Sequence, residues 1–239
     1  MDVSVILPVV NETYSLRKTV EIINQTSSKY IREYIIVVCK FTKIDSIKVI
    51  EELKVDFPDL IFVHQQKLPY LGGAIQEAFH IAKGSHLILM ASDLETDPWI
   101  VKELIREESK CENGIVTASR WISGGEFRGY SKLKYMLNWV FQKFISTLYW
   151  SNLTDMTYAY RIIPTKIAQL IKWEETRHPF LLETLIKPLM LKIPIKEIPA
   201  KWSVRTEGES QNTFLRTFSY IKIAIKVRFY KVRDILREA

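Results

Sequence analysis

Cysteine is scarce: Cys39 and Cys111 are the only two in 239 residues. They are too few to frame a fold with disulfides and lack the paired spacing of a zinc site, so a reducing compartment is expected. His64, His80, His86 and His178 are the only histidines, and they show no metal-ligand spacing either. No apolar run reaches the ~18 to 20 residues that a membrane span requires. The opening MDVSVILPVV has no basic segment ahead of its apolar run, so it reads as a strand and not as a signal peptide. A Gly-x-x-x-x-Gly-Lys-Ser/Thr loop is missing, as is a Gly-x-Gly-x-x-Gly turn after the first strand. Those absences argue against a P-loop NTPase and a dinucleotide dehydrogenase. Without Gly-x-Ser-x-Gly there is no sign of a hydrolase nucleophile.

Hydrophobic residues make up 47% of the chain. A domain of this length can bury a full core unaided, and one large α/β domain is the better expectation than two small ones. Thirty-four basic residues against 27 acidic ones leave a net charge of +7. That balance favours anionic partners such as nucleotides or phospholipid surfaces. No RNA- or DNA-binding signature accompanies it, so nucleic acid is not expected.

Short β-branched runs predict strands over Val3–Pro8, Tyr34–Cys39, Leu60–His64, His86–Met90 and Gly114–Ser119. Helical stretches alternate with them. One carries Leu16, Val20 and Ile23 on one face, and a second is capped by Asp45. A third follows Gly72-Gly73 and ends at Lys83 with Gly84 as C-cap, and a fourth opens at Asp97-Pro98. This alternation implies an open, mainly parallel sheet flanked by helices. Ligands of such sheets sit at the carboxyl ends of the strands. The second half predicts a mobile loop at Gly124, Gly125 and Gly129, then a helix from about Ser131 to Trp150. Thr154–Ile163 is extended or turning, His178–Leu191 is a helix, and Ile195–Trp202 is one strand. A polar loop covers Arg205–Asn212. The expected division is a catalytic domain over residues 1–212 and a basic amphipathic helix over residues 213–239, with Phe214, Phe218, Ile221 and Ile225 on one face.

Asp93 and Glu95, in MASDLETDP, directly follow a predicted buried strand. Their spacing lets two oxygens converge on a hard cation, Mg²⁺ or Mn²⁺, with phosphate oxygens completing the shell. Acidic residues after strands also simply cap the next helix, which is the reading given to Asp97. Arg120, Lys132, Lys134, Arg161 and Arg205 fall in strand-end or loop segments of the same face and can hold a diphosphate. Lys132 and Lys134 are equally compatible with a solvated surface. Gly73 would allow a close backbone approach to a ligand, or a plain turn.

In this order along the chain, the segments VSVILPVVNE, LGGAIQEAF, SDLETDP, SRWISGGEFRGY, DMTYAYRIIP and IPAKWSVRTEGESQ resemble the family 2 glycosyltransferases of the GT-A fold. The similarity is greatest to the dolichyl-phosphate mannosyltransferases and their bacterial polyprenyl-phosphate relatives. The resemblance implies a nucleoside site at Pro8, Val10, Glu12, Cys39 and Gly73, and metal ligands at Asp93 and Glu95. It puts Arg120 and Arg205 at the phosphates, with Asp93, Arg120 and Arg205 as the catalytic set. Lys132, Lys134, Asp155 and Arg161 fall on the acceptor side. Ala91 stands where the family's metal motif begins with Asp, Cys39-Lys40 where an acidic pair is usual, and Ala159 where Gly is usual.

The resemblance further implies an inverting transfer of a hexose from a nucleoside diphosphate sugar. The acceptor would be a polyprenyl or dolichyl phosphate, or alternatively a hydroxyl of a growing cell-surface glycan. An inactive sugar-nucleotide binding module is the reading from another class. The expected location is the cytoplasm, with peripheral contact to the cytoplasmic membrane face. The basic tail is compatible both with an anionic membrane surface and with docking on its own domain.

Overall fold

β1 (Val3–Val9) turns Val3, Val5, Leu7 and Val9 into one core and Ile6 into another, all buried. β2 (Ile31–Val38) repeats the pattern, with Tyr34, Ile36 and Val38 on the first side and Ile35 and Val37 on the second. Because successive strand residues point to opposite faces, both faces of the sheet must be covered. The computed structural model describes residues 1–111, 113–203 and 217–237.

The covering helices lie between strands. α1 (Tyr14–Ser27) buries Leu16, Val20 and Ile23, as their spacing predicts. α2 (Ile44–Asp56) leads to β3 (Ile61–Gln65), and α3 (Tyr70–Ile81) to β4 (His86–Leu89). A short 3₁₀ turn capped by Asp97, whose side chain accepts from Trp99 N at 3.0 Å, opens α4 (Val101–Glu108). β5 (Ile115–Ser119) and the short β6 (Glu126–Arg128) follow, then α5 (Lys132–Leu148), capped by Ser131. The chain continues through β7 (Arg161–Pro164), α6 (Thr165–Leu170), α7 (Phe180–Met190), β8 (Ile195–Pro199) and β9 (Lys201–Ser203). It ends with α8 (Thr217–Arg228) and α9 (Val232–Ile235).

Among the described residues the main sheet has the order β3-β2-β1-β4-β7-β5-β8, and β6 pairs with β9 apart from it. Only β7 runs antiparallel to its neighbours. The chain passes from β1 to one side and later returns to pair β4 on the other, which makes a crevice at their carboxyl ends. Reversal of β7 brings its starting residue, Arg161, level with Leu89 at the end of β4.

Several local expectations are corrected. Gly72 and Gly73 lie inside the first turn of α3 and do not precede it. The helix ends at Ile81 with Ala82 extended, so Gly84 is not its cap. Gly84 instead lets the chain approach β1, where an added Cβ would lie 2.7 Å from Ser4 N. Asp45 sits in the first turn of α2 without capping it. The predicted strand over Ile195–Trp202 divides at Ala200 into β8 and β9, which belong to different sheets.

Over its described residues, 217–237, the tail is two short helices and not one, and Phe214 and the Phe218 side chain lie outside what is described. Tyr220, Ile223, Ala224 and Val227 are the residues of α8 that pack with Leu182, Leu185 and Ile186 of α7 and with Ile145 of α5. Ile225, expected on the apolar face, is 45% exposed. Lys172 N donates to Ile235 O and Arg237 N to Leu170 O, which fastens the chain end to the segment after α6. Among the described residues no helix is long and apolar enough to cross a membrane.

Candidate active site

The loops after β1 and β4 meet at the crevice, where Ser92 Oγ donates to Pro8 O at 3.2 Å. The β4 loop is a tight turn. Leu94 has φ of +60°, Glu95 N donates to Asp93 Oδ1 at 3.0 Å, and Thr96 Oγ1 donates to Ala91 O. Asp93 is buried in it. Trp202 Nε1 donates to Glu95 Oε2 at 3.3 Å, and a backbone bridge joins Thr96 to Trp202. Burial raises the Tyr158 phenol strongly, and Asp155, Asp93 and Glu95 add to that shift against the opposing charge of Arg120. Among the described residues no group of three or more ligand-type side chains forms a metal cage. Asp93 and Glu95 offer hard oxygens that fit Mg²⁺ or Mn²⁺ when phosphate and water fill the remaining positions.

Arg120 follows β5, and its guanidinium grips Asp155 at two points. Nε to Oδ2 is 2.7 Å and Nη2 to Oδ1 is 2.9 Å, while Arg120 N also donates to Oδ2. The Phe127 and Tyr158 rings lie 4.9 and 4.6 Å from the guanidinium carbon. Burial works against the charge, but Asp155 outweighs it and holds Arg120 above its usual range. Glu197 on β8 fixes the segment from behind, accepting from the amides of Thr154 and Asp155 at 2.9 Å. Burial raises the Glu197 carboxyl in spite of these bonds.

Arg161 is fully buried within the sheet. Its Nη2 donates to Tyr158 O at 2.7 Å, while Nε and Nη1 have no hydrogen-bond partner among the described residues. Desolvation lowers it to about 10, with Asp155 opposing. It supports the Asp155–Tyr158 segment from inside and does not face the opening.

Beside Arg120 a cavity of about 450 Å³ is lined by Trp121, Phe127, Tyr130, Lys132 and Tyr135. Trp121 packs on Phe127 and Tyr135, with centroids 4.7 and 4.6 Å apart. Another cavity, about 460 Å³, lies among Arg32, Glu33 and Asp59 near the start of β2. That is the amino edge of the sheet, where α/β proteins do not place their ligands.

The remaining expected residues divide. Glu12 Oε2 accepts from the amides of Val10 and Asn11, so it shapes the β1 turn. Thr42 Oγ1 donates to Val9 O and accepts from Cys39 N, tying the ends of β1 and β2 together and bringing Cys39 to the crevice. Gly73 faces its own chain: an added Cβ would lie 2.7 Å from Leu68 Cβ. Lys132 and Lys134 are exposed in the first turn of α5, and Lys132 reaches the aromatic cavity. Arg205 lies outside the described residues.

The model of glycosyl transferase family 2 matches residues 4–170, covering β1 through α6. The chain belongs to family 2 of the glycosyltransferases. The chain is 26% identical over 125 residues to the glycosyltransferase AglD of Haloferax volcanii. The match covers 51% of the chain and about a fifth of that relative's length. Its fold is that of glucosyl-3-phosphoglycerate synthase from Mycobacterium tuberculosis. The crystal structure of that enzyme with Mn²⁺, UDP and phosphoglyceric acid superimposes with a TM-score of 0.70 at 14% identity, over 96% of this chain and 79% of the other. The form with Mg²⁺ and UDP gives 0.67 at 14%, over 95% and 77%. The mainly parallel sheet with flanking helices is thus the GT-A arrangement.

Tyr158, Glu197, Trp202 and the aromatic wall of the cavity were not singled out in the transferase sequence. Two signals were available: the aromatic density of Trp121, Phe127, Tyr130 and Tyr135 around three glycines, and the one carboxylate, Glu197, in the strand IKEIP.

Proposed function

We propose that this glycosyltransferase moves a hexose from a UDP- or GDP-linked donor, with inversion, onto the phosphate of a polyprenyl chain. Asp93 and Glu95 would hold Mg²⁺ or Mn²⁺. The observation that carries the reading is that the Asp93–Glu95 turn after β4, tied to the end of β1 through Ser92 and to Trp202, and the Arg120–Asp155 pair after β5 both lie at the carboxyl edge of the sheet. The Mycobacterium enzyme that shares the fold was crystallised with Mn²⁺ or Mg²⁺ and UDP, which supports a metal and a nucleoside diphosphate here.

Held by Asp93 and Glu95, such a cation would supply positive charge to a departing diphosphate. Pro8, Val10, Glu12 and Cys39 line the crevice for the nucleoside. Lys132, which lines the cavity beside Arg120, and the exposed Lys134 would receive an acceptor phosphate, and Arg205 would add a further positive charge to the diphosphate. The acceptor preference follows from the carboxylates. Asp155 is held by Arg120, and Glu197 by the Thr154 and Asp155 amides. A sugar hydroxyl needs a general base, whereas an ionised phosphate already carries its nucleophilic oxygen. Positioning and charge stabilisation then do the catalytic work. Such an acceptor is met at the cytoplasmic face of a membrane, by an enzyme in peripheral contact with it.

The test is transfer from UDP- and GDP-hexoses to a short-chain polyprenyl phosphate, with and without EDTA. Metal-dependent formation of a glycosyl-phosphoryl lipid is the expected result. Transfer only to a glycan hydroxyl would move the acceptor assignment to that class, and donor binding without any transfer would leave a binding module.

A further inference from the structure

Leu133, Met136, Val140 and Phe144 recur along α5 at steps of three, four and four, so they share one face. They are 63%, 54%, 53% and 43% exposed. The helix docks on the domain through a different face, where Gln142 and Ile145 are buried. Trp139, beside the stripe, is 48% exposed, and Trp150, just beyond the helix, is 89% exposed. Contiguous apolar exposure of this kind marks an interaction surface. The same helix carries Lys132, Lys134 and Lys143 and no acidic residue.

We propose that this face of α5 seats in the surface of an anionic lipid bilayer. An apolar stripe flanked by lysines, with tryptophan beside it, has the chemistry of a helix lying in the plane of an interface. The charge selects the occupant. A second copy packed face to face would set lysines against lysines, whereas anionic headgroups neutralise them. Among the described residues of the tail, the face bearing Tyr220, Ile223, Ala224 and Val227 is buried against the domain and is not open to this role. Docking through α5 also orients the site. Tyr135, in the same helix, packs on Trp121 and Phe127 at 4.6 and 5.3 Å, in the segment that follows Arg120. A seated α5 therefore holds the aromatic cavity at the lipid surface. The proposal stands on the exposure and charge of α5 and is independent of the acceptor assignment.

Vesicle flotation of the full chain tests it, using phosphatidylcholine alone and phosphatidylcholine mixed with phosphatidylglycerol. The wild type should float with the anionic vesicles and not with the neutral ones. The M136E/V140E double variant should bind about tenfold or more weakly, with its melting temperature and its donor hydrolysis in the absence of lipid unchanged. Lys143→Gln should weaken binding about fivefold without adding a charge to the stripe. Failure of the wild type to bind anionic vesicles would overturn the proposal, as would equal binding by the double variant. A wild-type dimer in sedimentation that the double variant abolishes would assign the face to a second copy instead. Donor hydrolysis reports on the active site separately, so failure of the docking and failure of the transfer reading give different results.

Discussion

Arg120 and Asp155 form a two-point ion pair, with Nε 2.7 Å from Oδ2 and Nη2 2.9 Å from Oδ1, and Asp155 is fully buried. Thirty-five residues separate the partners, so the pair locks the end of β5 to the segment entering β7. Removing one partner strands the other charge in a poorly solvated place. Asp155→Ala should lower unfolding free energy by about 3–5 kcal/mol and reduce turnover as Arg120 loses its anchor. Denaturant melts of the variant check the first expectation and initial rates the second.

Gly73 answers to packing. Its missing side chain admits Leu68, whose Cβ would lie 2.7 Å from an added Cβ and whose backbone carbon would lie 2.9 Å away. Gly73→Ala should therefore destabilise by about 1–3 kcal/mol, measured by thermal unfolding. Nucleotide affinity of the folded fraction should change little. A large loss of affinity at unchanged stability would return Gly73 to the nucleoside site.

Glu77 gives the fold an acid-sensitive point. Burial works against its charge, but the amides of Leu68 and Lys67, together with His64, hold the carboxyl below its usual range. A depressed carboxyl stabilises the fold above its unfolded pKa, and that contribution is lost as pH falls through the lower folded value. Glu77→Gln should cost about 1–2 kcal/mol near neutrality. The gap between wild type and variant should close in acid, as followed by denaturant melts across pH.

The sequence made the central strands legible because their β-branched runs leave few alternatives, and it made the Asp97 cap legible because Asp before Pro suits a helix start, whereas Asp45 lies inside the first turn of its helix and does not cap it. Ile195–Trp202 was harder. IKEIPAKW reads as one extended run, and the division at Ala200 goes with a tertiary contact, Trp202 to Glu95, that no local pattern shows. The tail misled for a related reason: several rotations of a helix with many apolar residues present an apolar face, and contact with α7 selects the one bearing Ala224. At the candidate site, spacing pointed to Asp93 and Glu95, and the family resemblance added Asp155. No local pattern could show that Arg120 would be bound to Asp155, or that Arg161 would lie wholly inside the sheet, since both follow from the reversal of β7.

The Asp93 carboxylate sits in a turn that the backbone already determines, through Leu94 and the Thr96 hydroxyl. Asp93→Asn keeps the size and the acceptor oxygen for Glu95 N while removing the charge. It should leave the melting temperature nearly unchanged and reduce metal-dependent transfer by about two orders of magnitude or more. Comparable loss from EDTA treatment of the wild type, without further loss in the variant, would join the two effects in one site.

The most direct measurement is a calorimetric titration of the full chain with UDP-glucose and with GDP-mannose, each in Mn²⁺ and again in EDTA. Binding of one donor in Mn²⁺ that is strongly weakened in EDTA, and weakened equally by Asp93→Asn, is the expected result. Donor binding of equal strength with and without metal, or no binding of either donor to folded protein, would contradict a metal-assisted nucleotide-sugar site at Asp93 and Glu95.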